Sequence, residues 1–209
     1  VNNNLQFKKI NMKKLIIFSL LFILASASFA QDFKADITTA KTAYSGGKLA
    51  DAHFALEQAM QEIDMIVGKE VLKLLPVKID TLNSNPKEDH VMANSGYIGA
   101  TIHRSYGLNG GTDIEIISNS PMLAGLNAFL NMPVLGGMMR DENTKVVKIQ
   151  GYKSRLEKQG DNDNGKPNYS LQIPFSSALL TLTVKGKSES EVLSLANSIP
   201  MEQIAKLIQ

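Results

Sequence analysis

Residues 97–118 read YIGATIHRSYGLNGGTDIEIIS. Ile98, Ala100 and Ile102 alternate with Thr101, His103 and Ser105. Strict alternation of this kind predicts a half-buried strand, with one face apolar and the other wet. Gly107-Leu108-Asn109-Gly110-Gly111 has turn composition, and Thr112–Ser118 alternates again with Ile114 and Ile116 on its apolar side. Two alternating runs around a glycine-containing loop predict an antiparallel hairpin. If Tyr106 pairs with Thr112, Ser105 faces Asp113 and His103 faces Glu115.

Further elements follow on either side. Lys145–Gln150 and Tyr152–Lys158 are strand candidates around Gly151, and Tyr169–Ile173 and Leu179–Lys185 are two more. The run from Gly160 to Pro167 is turn-rich. Ser188-Glu189-Ser190-Glu191 is a capping box that starts a helix with an apolar stripe of Val192, Leu195, Ala196 and Ile199, and Pro200 kinks or restarts it. Upstream, Phe33 to Pro76 has helical periodicity, broken by Tyr44-Ser45-Gly46-Gly47-Lys48. The expected class is α+β: an antiparallel sheet of about six strands packed against helices, preceded by an N-terminal helical hairpin. The expected divisions are an upstream extension 1–11, a signal peptide 12–30, the hairpin 31–76, a polar linker 77–95 and an α+β sandwich domain 96–209.

The signal peptide follows from Met12-Lys13-Lys14, the apolar run Leu15–Ala25, and small residues at Ser28 and Ala30 before a cleavage site preceding Gln31. The apolar run is well short of the roughly 20 residues a spanning helix needs, so no anchor is expected after cleavage. The chain has 22 Lys+Arg against 20 Asp+Glu. Four of those lysines (Lys8, Lys9, Lys13, Lys14) belong to the leader, so residues 31–209 carry 18 basic against 20 acidic groups, a net charge of −2. Without a basic cluster, a nucleic-acid partner is not expected. There is no cysteine, hence no thiol nucleophile, thiolate metal site or disulfide. A periplasmic or secreted location is expected.

The His103/Asp113/Glu115 face, with Ser105, is the nearest approach to a hydrolytic constellation. A triad needs serine–histidine–acid contacts in a pocket with oxyanion donors, whereas polar residues on the outer face of a sheet are the ordinary case. Asp161-Asn162-Asp163-Asn164-Gly165 has Gly165 where a calcium loop needs a ligand and Gln172 where it needs glutamate, so it reads as a hairpin tip. His53 has no second ligand one turn on. No phosphate loop, dinucleotide fingerprint or nucleophile elbow occurs. The sequence thus offers no catalytic residue, no metal site and no cofactor.

Residues 120–139, SPMLAGLNAFLNMPVLGGMM, are the other candidate surface, and no charge occurs between Glu115 and Arg140. Ser120 and Pro121 suit a helix start. Met122, Leu126, Phe129 and Leu130 are expected on one face, with Leu123 beside it, and Met138 and Met139 end a glycine-hinged tail. The methionines lack the spacing and histidines of a copper site. Either the segment is clamped over the sheet as core, or part of it is exposed for a hydrophobic partner.

Two resemblances bear on this. AYSGGKLADAHFALEQAM (43–60) resembles one helix pair of a tetratricopeptide-type repeat, although no second copy follows. KVVKIQGYKSRLEKQ (145–159) followed by paired strands and SESEVLSLANSI (188–199) resembles the end of exported PsbP/Mog1-like α/β/α sandwich domains. That likeness spans residues 145–209 and implies an accessory or binding module; it carries over no functional residue. The expectation is an exported binding protein with an unknown protein or apolar ligand of the envelope as partner. A carrier of a lipid or other apolar ligand through 120–139, and a hydrolase on the His103/Glu115 face, are the alternatives.

Overall fold

The computed structural model describes residues 28–208, except 95, 97, 98, 108–110, 133–141 and 163, with side chains from Phe33 onward. The expected extension 1–11, most of the signal peptide, and Met138 and Met139 lie outside the described residues. The chain forms two compact units, Val1–Glu62 and Ile63–Gln209. Helix α1 (Ser28–Ser45) and helix α2 (Leu49–Leu74) form the N-terminal pair, and α2 begins in the first unit and ends in the second.

In the first unit the two helices meet through small residues. Ala40 and Ala43 of α1 and Ala52, Ala55 and Ala59 of α2 are buried. Alanine at i, i+3 and i+7 puts one narrow, small-residue line on each helix and lets the backbones approach. Gly47, at φ 73°, makes the left-handed turn between them.

The second unit is an α+β layered domain around a seven-stranded, wholly antiparallel sheet in the order β3-β4-β5-β9-β8-β7-β6. Its strands are β3 (His90–Ala93), β4 (Ala100–Tyr106), β5 (Thr112–Ser118), β6 (Thr144–Ile149), β7 (Tyr152–Asp161), β8 (Pro167–Phe175) and β9 (Ala178–Lys185). A two-stranded ribbon, β1 (Lys78–Ile79) with β2 (Leu82–Asn83), precedes it. The hairpin of β4 and β5 has the expected register: Tyr106 opposite Thr112, Ser105 opposite Asp113, His103 opposite Glu115. Gln150 and Gly151 both take positive φ in the two-residue turn between β6 and β7. That is the primed geometry matching the twist of adjoining strands.

One face of the sheet carries Ile102, Tyr106, Ile114, Ile116, Leu171, Ile173, Leu180 and Leu182. It packs against Val71 of α2, Leu75 just past its end, and helices α4 (Glu189–Asn197) and α5 (Met201–Leu207). The Ser188/Glu191 capping box starts α4 as expected. Gly68 permits the close approach of α2, since a Cβ there would overlap Val91 and crowd Ala100 and Ile102 at 3.3 Å. Helix α3 (Met122–Asn131) lies on the opposite face, over β7, β8 and β9.

Two expectations are corrected. The stretch 77–95 is not an unstructured linker: it holds β1, β2 and the edge strand β3, the seventh strand of the sheet. The division after residue 76 also fails, because Val71, Leu75 and Ile79 are all core residues of the sheet domain. Both errors have one cause. Short strands with mixed polarity carry little periodicity, and they exist only because neighbouring chain pairs with them.

Candidate functional site

Two regions carry the residues singled out by sequence: the polar edge of β3, β4 and β5, and helix α3.

At the polar edge, Ser105 is 1% exposed. Its hydroxyl donates to Glu88 Oε2 and accepts from Asn85 Nδ2 at 3.0 Å. The same Asn85 amide donates to the Gly107 carbonyl at 2.7 Å. His103 Nδ1 lies 3.3 Å from the Glu88 carbonyl, and His90 Nδ1 lies 3.1 Å from that same oxygen. A carbonyl only accepts, so in both rings Nδ1 carries the proton. The rings stack, with centroids 4.7 Å apart and planes at 24°. The other nitrogen of His103, Nε2, sits 3.5 Å from Asp113 Oδ1.

Chemically this arrangement is a clamp. The proton of Ser105 goes to a carboxylate, and His103 turns its Nδ1 to the Glu88 carbonyl instead of serving the serine as a base. Register brings His103, Ser105, Asp113 and Glu115 onto one face, as expected, but the hydrogen bonds tie the 84–89 segment down to β4. Asn85 N–H donates to the Ser105 carbonyl at 2.9 Å, Gly107 N–H to the Asn83 carbonyl at 2.9 Å, and Ser84 bridges Tyr106. Among the described residues, no group of three or more His, Asp or Glu side chains is placed to hold a metal ion.

Sequence reading missed the strongest member of this region. Arg104 points to the apolar side of β4, between Ile102 and Tyr106, and is buried. Its guanidinium donates to Asp89 through Nε at 3.0 Å and Nη2 at 2.6 Å, and through Nη1 to the Leu75 carbonyl at 2.7 Å, just past the end of α2. The two-pronged bond to Asp89 holds the guanidinium protonated above its ordinary range, against the opposing effect of burial. Next to it, Tyr106 donates to the Pro76 carbonyl at 2.8 Å. Burial pushes that phenol up to about 12, with Arg104 pulling the other way. The available signal was an arginine in an inward position of an alternating strand. Such a charge must be paired, although its partner is not visible in sequence.

Helix α3 divides the four residues expected on one face. Leu126 and Leu130 are buried against Leu179 of β9, with Leu123 partly buried beside them. Met122 is 55% exposed and Phe129 38%. At about 100° per residue, Leu123, Leu126 and Leu130 fall within about 60° of one another, and Met122 and Phe129 lie about 70–95° to one side. The helix is rolled so that the leucines face the sheet. Leu126 and Leu130 are therefore core and are removed from the exposed set, while Met122 and Phe129 form its flank. Phe129 lies over the Arg155 guanidinium, 5.4 Å from ring centroid to carbon. At the helix start, Met122 N–H reaches Ser120 Oγ at 3.4 Å, and Pro121 has helical φ and ψ. Met132, just past the last turn, is also exposed. Among the described residues, no helix is long and apolar enough to cross a membrane.

No protein-family model, curated protein or solved structure matches this chain.

Proposed function

We propose that the protein is an exported accessory factor of the cell envelope that binds a hydrophobic partner through the flank of helix α3. One observation carries this reading. A helix without a single charge is anchored by Leu123, Leu126 and Leu130 and leaves Met122, Phe129 and, just past its end, Met132 exposed. Leaving large apolar side chains in water is unfavourable by roughly 25 cal/mol per Å², so a grouped set of them favours a covering partner. Methionine adapts to irregular apolar surfaces, and Phe129 adds a rigid ring beside a cation. The leader-like sequence and the net charge of −2 after its removal fit an exported protein that avoids nucleic acid.

The test uses Phe129→Asp and Met122→Asp, with Leu126→Asp as contrast. Affinity capture from envelope extract, with dye fluorescence in parallel, reads binding, and thermal unfolding reads the fold. Capture lost in the first two, with unchanged unfolding midpoints, is the expected result. Capture that survives both substitutions refutes the assignment. Dye or lipid binding without protein capture replaces the protein partner with an apolar ligand. Leu126→Asp unfolds the protein because it places a carboxylate in the core.

A further inference from the structure

The first unit has a second uncovered face, independent of α3. The alanine seam that joins α1 to α2 leaves the large apolar residues of the pair outside it. Ile37 and Tyr44 of α1 are 41% and 70% exposed, and Leu49, Leu56 and Met60 of α2 are 64%, 50% and 58% exposed. Relative to the seam, both sets sit about a quarter turn round, on the same side of the hairpin. The opposite side has a groove lined by Asp36, Thr39, Thr42, Asp51 and Gln58 together with Phe54, which is 62% exposed. Among the described residues of the first unit, five of the six exposed large apolar side chains thus gather on one side. This is the pattern of helices that finish a bundle.

We infer that this face packs against the same face of a second copy, giving an isologous four-helix bundle. Side chains of this size carry roughly 150–200 Å² each, so the five leave on the order of 500 Å² of apolar surface per copy. A specific interface covers about 800 Å² per partner, and the aliphatic stems of Lys34 and Lys41 supply much of the difference. The charges select both the partner and the orientation. Lys34 and Lys41, seven residues apart and exposed, form a basic rim about 60° beyond Ile37 and Tyr44. Glu57 lies on the matching rim of α2, beyond Leu49, Leu56 and Met60, 3.9 Å from His53 Nδ1. A two-fold axis along the hairpin sets α1 of one copy against α2 of the other, with neighbouring helices antiparallel. The lysine rim then meets the other copy's Glu57. A two-fold axis across the hairpin would set lysine against lysine.

The test is the oligomeric state of the full chain, expressed in an export-competent bacterial host and purified as that host releases it. Sedimentation equilibrium over a wide concentration range should show a reversible monomer–dimer equilibrium. Leu56→Glu and Met60→Glu should each weaken the dimer at least about tenfold with unchanged helix content, because both side chains are exposed. Lys34→Glu/Lys41→Glu should weaken it, and adding Glu57→Lys should restore it, both effects shrinking in high salt. A chain that stays monomeric throughout overturns the inference, as does a dimer indifferent to Leu56→Glu and Met60→Glu. Tighter association in Lys34→Glu/Lys41→Glu overturns the stated pairing.

Discussion

Replacing Asp89 with alanine is the most informative single perturbation of this fold. It removes the counter-charge of Arg104, a guanidinium whose side chain is 9% exposed, and leaves it the neutral Leu75 carbonyl and the neighbouring Tyr106 phenol. Breaking a buried ion pair from one side costs about 3–5 kcal/mol, because the remaining charge is stranded. The Asp89 side chain is 12% exposed, so some water can reach the site, and the lower end, about 3 kcal/mol, is expected. For a domain of this size that is a fall of roughly 6–12 °C in the unfolding midpoint. Arg104→Met should cost about 2–3 kcal/mol, through the stranded Asp89 carboxylate and the lost bond to the end of α2. The double variant Arg104→Met/Asp89→Ala should be less destabilised than the two effects added, by at least about 1.5 kcal/mol. Urea unfolding at neutral pH, followed by circular dichroism, measures all four corners of this cycle. Single losses under about 1 kcal/mol, or additivity within about 0.5 kcal/mol, would refute the view that this pair fastens the 84–89 segment and α2 to the sheet.

Other expectations follow from the same contacts. Tyr106 has a folded-state pKa above its unfolded value, so its contribution is complete below pH 10 and is lost as pH rises through about 12. Ultraviolet titration should show one late-ionising phenol among the five tyrosines, absent in Tyr106→Phe. Glu191 is shifted the other way, to about 2, chiefly by the Ser188 hydroxyl and backbone N–H. Its contribution is present above the ordinary carboxylate range and fades as pH falls toward 2, so Glu191→Gln should flatten the acid limb of a stability–pH curve. Ser188→Ala should cost about 1 kcal/mol in denaturant unfolding at neutral pH. Leu126→Ala should cost about 2–4 kcal/mol, whereas Met122→Ala should stay within about 0.5 kcal/mol; equal effects would mean that α3 is rolled differently on the sheet.

The amino-acid sequence determined the features that depend on neighbours in the chain. Alternation around Gly107–Gly111 set the register of β4 on β5, because a slip of one residue would turn Ile114 and Ile116 to water. The capping box placed the start of α4, because its two hydrogen bonds span only three residues. The uncharged run after Glu115 was equally plain. Tertiary structure alone decided the rest. Arg104 turns inward because a carbonyl 29 residues earlier and a carboxylate 15 residues earlier converge there. The 77–95 stretch becomes strands and a clamp because β4 supplies the hydrogen-bonding edge. The flank of α3 is exposed because Leu179, on a strand more than forty residues later, takes the leucine side of that helix and leaves Met122 and Phe129 outside. Periodicity marks which side of an element is apolar; only the facing element fixes how much of that side is covered.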